Sequence, residues 1–212
     1  MLPQRSGYDD LMLKPATPDH PIHPLLAERW SPYAFADRLI PPDDLASLFE
    51  AARWAASSFN EQPWRYIVAT RDQPEEFKRL LACLRETNQA WARRAPALAI
   101  GVVKLLFTKN GKSNRVAVHD LGLASANLVL EATARGLAVH QMEGILPEKV
   151  VETYDVPEGF EVMTGIAIGY LAGPGEAPQD LLEKDAAKTR SRKPLAETVF
   201  AGRWGQAADL GR

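Results

Sequence analysis

Apolar residues recur at helical spacing at Leu45, Leu48, Phe49, Ala52 and Ala56. Asp43 and Asp44 precede them, where a carboxylate meets the positive end of a helix dipole. The pattern predicts a helix over 43–55. Residues 64–70 are short and β-rich and read as a strand. Asp72 and Glu75 then have capping-box spacing ahead of the apolar series Phe77, Leu80, Leu81 and Leu84, which predicts a second helix. The apolar run 97–103 reads as a buried strand. A long helical pattern over 113–135 ends at Gly136, the residue best suited to a left-handed stop. Further strands are expected at 137–141 and 162–171, with a short helix between them after Pro147.

The 113–135 helix is apolar on more than one face: Val116, Leu121, Leu123, Leu128, Val129 and Leu130 spread around it, and Gly122, Ala124, Ser125 and Ala126 allow close backbone approach. Such a helix needs cover on several sides. A second copy of the chain could supply one of them, and the core of a monomer is the alternative. Strands and helices do not alternate strictly and no glycine-rich fingerprint follows an early strand, so a dinucleotide-binding doubly wound domain is disfavoured. The reading is α+β, a mixed or antiparallel sheet flanked by helices. Pro3, Pro15, Pro18, Pro21 and Pro24 mark residues 1–27 as an extended arm, leaving 28–212 as one domain.

Composition narrows the function. The chain has 212 residues, 46% hydrophobic and 25% charged, which suits a sizeable core. A net charge of −2 gives no global field to recruit nucleic acid or an anionic membrane. Cys83 is the one cysteine, so neither an internal disulfide nor a cysteine metal site can form, and a buried inert thiol in a reducing, cytoplasmic setting is expected. The first 13 residues carry charges and do not read as an export signal. The apolar run 95–103 stops well short of the roughly 20 residues a membrane span needs. Lys109-Asn110-Gly111-Lys112-Ser113 imitates the end of a phosphate-binding loop, but Leu106 stands where that motif requires glycine. The four histidines show no spacing that converges on a metal.

One stretch carries chemistry in its residue types. Ser57, Ser58, Asn60 and Gln62 fall together between a helix and a strand, in Ser57-Ser58-Phe59-Asn60-Glu61-Gln62-Pro63-Trp64. Hydroxyl and amide groups that both donate and accept suit the edge of a flavin, although the same residues serve ordinary helix-end turns.

This segment closely resembles the Ser-Ser-x-Asn-x-Gln-Pro-Trp motif of the nitroreductase family. Arg29-Trp30-Ser31-Pro32-Tyr33-Ala34-Phe35 is similar to the family's upstream Arg-x-Ser segment. Gly136-Leu137 followed by Met142-Glu143-Gly144 resembles its Gly-Leu and Glu-Gly turn, and Arg190-Ser191-Arg192-Lys193-Pro194-Leu195 its basic C-terminal motif. Four motifs stand in the family's order over residues 25–205.

The resemblance implies a nitroreductase-like fold, an intertwined homodimer, and FMN bound at the subunit interface. It implies that Arg29, Ser31, Arg190 and Arg192 approach the phosphate and ribityl end. Ser57, Ser58, Asn60 and Gln62 would reach the flavin held mainly by the other subunit. Met142, Glu143 and Gly144 would lie against the ring, with backbone amides near its redox-active nitrogen, and Asn88 would contribute an amide close by. The chemistry implied is hydride transfer from NADH or NADPH through FMN to a small flat oxidant such as a nitroaromatic, a quinone or an activated alkene, with no catalytic side chain required. Two positions depart from the pattern. Tyr33 stands where many relatives carry a basic residue that touches the flavin, and Trp91 where some have lysine, although packing in the core is the expected role of Trp91. They motivate a competing reading, an FMN-storing or sensing protein without turnover; a scaffold that binds no flavin is a third.

Overall fold

The computed structural model describes residues 14–210. Its strands are β1 (Trp64–Thr70), β2 (Ala97–Lys104), β3 (Ala138–Met142) and β4 (Phe160–Gly169). Its helices are α1 (Pro24–Glu28), α2 (Pro42–Arg53), α3 (Pro74–Leu81), α4 (Glu86–Ala92), α5 (Ala117–Ala134), α6 (Pro147–Tyr154) and α7 (Gln179–Ala187). Proline opens α1, α2, α3 and α6, where its missing N–H would have had no intrahelical partner.

The strands form one sheet in the order β1-β2-β4-β3, with every pairing antiparallel. β2 is the interior strand that the apolar run predicts, buried from Ala97 through Val103. Its side chains alternate between two cores, as the pleat requires. Leu98, Ile100 and Val102 pack with Phe77, Leu80, Trp91 and Val150 of α3, α4 and α6 and with Cys83 and Leu84 between α3 and α4. Ala97, Ala99 and Val103 pack on the other face with Leu48 and Ala52 of α2 and Leu121, Ala124, Leu128 and Ala132 of α5. Cys83 and Trp91 are buried, as expected.

Helix ends follow local chemistry. Gly136 has φ +73 and donates to the Thr133 carbonyl at 3.1 Å, while Leu137 N–H reaches Ala132 at 2.8 Å. This is a Schellman stop, and Gly136 provides its left-handed residue. The capping box expected at Asp72 is absent: α3 begins two residues later on Pro74, and its N-cap, Gln73, makes no side-chain bond to the helix. Residues 113–116 likewise stay outside α5. Leu106 pairs with Ser113 in a tight hairpin, so the glycine-lysine-serine run does not open a helix. Of the expected arm, residues 1–13 lie outside the described residues, and 24–27 are helical rather than extended because Pro24 starts α1. No helix among the described residues is long and apolar enough to cross a membrane.

Past β4 the chain returns to its beginning. Phe35, fully buried, pairs with Leu171, and Ala36 N–H donates to the Tyr170 carbonyl at 3.0 Å. Ala34, Ala36, Ala172 and Leu182 form a small third core that seats α7 against this segment. Residues 34–36 are thereby joined to the segment that follows β4 and to α7.

Candidate functional site

Arg29, Ser31, Arg190 and Arg192 come together. Arg29 follows α1 and donates to the Ser31 hydroxyl at 3.1 Å. Burial, and after it the like charges of Arg190 and Arg192, hold the Arg29 guanidinium below its ordinary value. Arg190 is lowered by burial and by Arg192, and it donates to the carbonyls of Lys14 and Ala27, which ties the tail to the arm. Among the described residues, none of these arginines forms an ion pair with a carboxylate. Three crowded guanidinium groups with no carboxylate in ion-pair contact among the described residues suit an anionic ligand, and their planar forks match phosphate oxygens. A cavity of about 520 Å³ opens beside them between the arm and the tail, with Thr17, Asp19, His20, Arg190, Arg192 and Lys193 in its wall, so that the lining carries one acid against three basic side chains.

Tyr33 lies two residues beyond Ser31 and is fixed through its backbone. The buried Asp185 carboxylate of α7 accepts from Tyr33 N–H at 2.9 and 3.0 Å and from Ala34 N–H at 2.8 Å. The Tyr33 ring meets Trp91 edge-on at 5.3 Å and His140 at 4.9 Å, and Trp91 stacks on His140 at 4.5 Å. The two sequence departures are thus one aromatic cluster. Burial pushes His140 down to about 4 despite the Pro32 carbonyl 2.7 Å from Nδ1. That carbonyl only accepts, so the neutral ring carries its proton on Nδ1.

Trp91 leads to the turn after β3. Its indole N–H donates to Asn88 Oδ1 at 3.3 Å, and the Asn88 amide donates to the Gly144 carbonyl at 3.0 Å. Arg85 N–H donates to the same carbonyl at 3.0 Å. Met142 is buried, whereas the Glu143 side chain is exposed and lies 3.9 Å from Arg85. It is the backbone of this turn, not the carboxylate, that is rigidly placed.

Ser57, Ser58, Asn60 and Gln62 occupy a turn that runs into β1. Phe59, Asn60 and Gln62 have φ of 53, 54 and 51. Non-glycine residues in that region cost about 1–3 kcal/mol each and persist only where the surroundings impose them. Here Ser57 Oγ accepts from Gln62 N–H at 3.0 Å, the buried Asp120 of α5 accepts from Ser58 N–H at 3.0 Å, and Glu61 accepts from Thr108 N–H at 2.8 Å. The Thr108 hydroxyl also bonds Glu61 and, as the main cause, holds its carboxyl below the ordinary range. Phe59 and Asn60 project outward at the turn's tip, and Phe59 is 76% exposed.

The expected site residues therefore form two groups. Arg29, Ser31, Tyr33, Asn88, Met142, Glu143, Gly144, Arg190 and Arg192 are linked through the Tyr33, Trp91 and His140 cluster. The 57–62 turn enters β1, at the opposite edge of the sheet from β3. Three strand spacings separate those edges, on the order of 14 Å. Sequence reasoning did not find Asp120, His140, Lys184, Asp185 or Lys188. The available signals were a carboxylate on an otherwise apolar helix and a Lys-Asp-x-x-Lys run beside the basic motif.

A family model described as Nitroreductase family matches residues 26–170. The "Uncharacterized 15.4 kDa protein in ask 5′ region" of Mycolicibacterium smegmatis is 32% identical over 150 residues, covering 66% of this chain and 97% of that protein. The Major NAD(P)H-flavin oxidoreductase of Aliivibrio fischeri is 24% identical over 220 residues, covering 85% and 98%. The crystal structure of an oxidoreductase containing FMN superposes with a TM-score of 0.81 at 34% identity, covering 89% of this chain and 95% of that one. With its antiparallel sheet, the pairing of residues 34–36 with 170–172 and a family match over residues 26–170, the chain belongs to the nitroreductase family.

Proposed function

We propose that the chain is an FMN-dependent oxidoreductase that accepts electrons from NADH or NADPH and delivers them to a small flat electrophile such as a nitroaromatic, a quinone or an activated alkene. Family membership, the flavin oxidoreductase relative and the FMN-containing structural neighbour support the class and the cofactors. The observation that carries the reading is the convergence of Arg29, Arg190 and Arg192, none of them ion-paired to a carboxylate among the described residues. Charge-assisted hydrogen bonds from such groups contribute about 1.5–3 kcal/mol each, enough to select the phosphorylated flavin.

Bound FMN would supply the redox chemistry, hydride transfer between the nicotinamide and the oxidant. The protein's part is placement. Arg29, Ser31, Arg190 and Arg192 hold the phosphate and ribityl end. The Met142-Glu143-Gly144 turn presents backbone groups to the ring, and Asn88 fixes that turn through the Gly144 carbonyl. An N–H of this fixed turn directed at the ring would favour the charge that develops on the reduced flavin.

The second half of the site comes from a second copy. Val118 and Leu123 on α5 are 45% and 37% exposed, with Gly122 between them and open space around it. A homodimer that covers this face brings Ser57, Ser58, Asn60 and Gln62 of one copy to the arginine cluster of the other. The aromatic Tyr33 and Trp91 favour a second reading, an FMN-storing or sensing protein. Purification followed by anaerobic addition of NADH or NADPH separates the two. Yellow protein that bleaches supports the oxidoreductase, yellow protein that keeps its colour supports storage, and colourless protein that takes up no FMN contradicts both.

A further inference from the structure

Helix α7 aims two lysines at Tyr33. Lys184 Nζ stands 3.7 Å and Lys188 Nζ 4.6 Å from the centre of the Tyr33 ring, and Lys188 also donates to the Ser31 carbonyl at 2.7 Å. The carboxylate between them in sequence forms no ion pair with either, although its charge supports the Lys188 ammonium against the burial that lowers it. Asp185 points inward and spends its oxygens on the Tyr33 and Ala34 amides. Lys14 donates to the carbonyls of Ala186 and Lys188 at 2.8 Å, which ties the end of α7 down. No ion pair to a carboxylate is formed by Lys184 or Lys188 among the described residues. Both act as like charges on His140, together with Arg29. Two cations thus stand over the Tyr33 ring beyond the arginine cluster, Lys188 fixed by the Ser31 carbonyl and Lys184 reaching in from the exposed side of α7.

We propose that Lys184 and Lys188 are further flavin-binding residues, supplying from α7 the positive charge that the aromatic side chain at position 33 lacks. The proposal rests on the flavin reading above. The target is the ring rather than the phosphate: Arg29, Arg190 and Arg192 already crowd one end of the site, while the lysines stand over Tyr33, next to Trp91, whose partner Asn88 holds the Gly144 turn. A cation there attracts the reduced flavin, which carries negative charge on its ring, more than the neutral oxidised one. The lysines therefore raise the potential at which the cofactor is reduced. The Tyr33 ring holds both ammonium groups in place through cation–π attraction.

The test is the midpoint potential of the FMN-loaded protein, read against reference dyes, in Lys184→Met, Lys188→Met, the double variant and the Lys→Arg pair. Each methionine variant shifts to a more negative potential, the double variant shifts furthest, and the arginine variants stay near the wild type. Affinity for riboflavin, which has no phosphate, falls in the double variant by about the same factor as affinity for FMN, on the order of tenfold. An unchanged potential in the double variant overturns the proposal. So does loss of affinity for FMN with riboflavin binding untouched, because the lysines would then serve the phosphate. Lys184 is exposed, so Lys184→Met gives a reading even if Lys188→Met unfolds. Wild-type protein that binds neither compound defeats the flavin reading itself, an outcome distinct from the other two.

Discussion

The Asn88 amide donates to the Gly144 carbonyl at 3.0 Å, and a Cβ on Gly144 would lie 2.2 Å from that same amide nitrogen. Glycine at 144 is therefore a packing requirement of the turn assigned to the flavin ring. Gly144→Ala forces Asn88 out, and with it the bonds to Gly144 and Trp91. The expected loss is about 1–3 kcal/mol of stability, together with weaker FMN retention. Thermal melts with and without FMN check both. Gly144→Ala in an Asn88→Ala background should cost less than in the wild type, since the clash is then gone.

Asp120 tests the strained turn. Its buried carboxylate accepts from Ser58 N–H, a bond that ties the turn to α5. Asp120→Ala should cost about 1–3 kcal/mol in chemical denaturation and weaken FMN binding by releasing the residues assigned to the partner's flavin. Loss of stability with FMN affinity intact would confine Asp120 to a folding role.

Arg192 separates binding from folding. It is exposed, and its one hydrogen bond among the described residues goes to the carbonyl of Ser191. Arg192→Ala should weaken FMN affinity about tenfold or more while changing stability by under about 0.5 kcal/mol. Fluorescence titration and a melt suffice, and equal FMN affinity would refute the phosphate assignment.

Sequence patterns were informative where one physical signal dominated. Apolar periodicity located α2, proline located the start of α6, and glycine located the end of α5, each to within a few residues of the expected limits. Two helices left weak traces. α4 buries only Trp91 and Ala92, and α7 only Leu182 and Asp185, so neither produces a strong apolar stripe. The arginine cluster was legible through motif resemblance and the structure brings it together. Asp185 and the α7 lysines were not, because their importance comes from tertiary docking of α7 on Tyr33 and not from local spacing.

His140 sets an acid limit. Its folded value, about 4, lies below the ordinary 6.5, chiefly through burial. Between those values the unfolded chain binds the extra proton, so the stability owed to neutral His140 is complete above 6.5 and drains away as pH falls towards 4. Asp185 has the opposite sign: burial raises it, so its contribution is present in acid and is lost as pH rises through its folded value. On going from about pH 7 to about pH 5, the melting temperature of His140→Asn should fall less than that of the wild type. Parallel profiles would contradict this role for His140.

Gly122 addresses assembly. Nothing lies within 4 Å of a Cβ built there, and arginine is a better helix former than glycine by roughly 0.7 kcal/mol. A monomer should accept Gly122→Arg without loss, whereas a pair packed through α5 should be split by it. Light scattering after gel filtration reads the result, with loss of FMN expected alongside loss of the dimer.

Where FMN sits, seen in a crystal structure of the chain grown with FMN, tests the proposed function most directly. The phosphate is expected on Arg29, Arg190 and Arg192, the ring along the Gly144 turn, and the 57–62 turn of a second copy closing over it. A phosphate bound away from those arginines, or a 57–62 turn facing only solvent, would contradict that function.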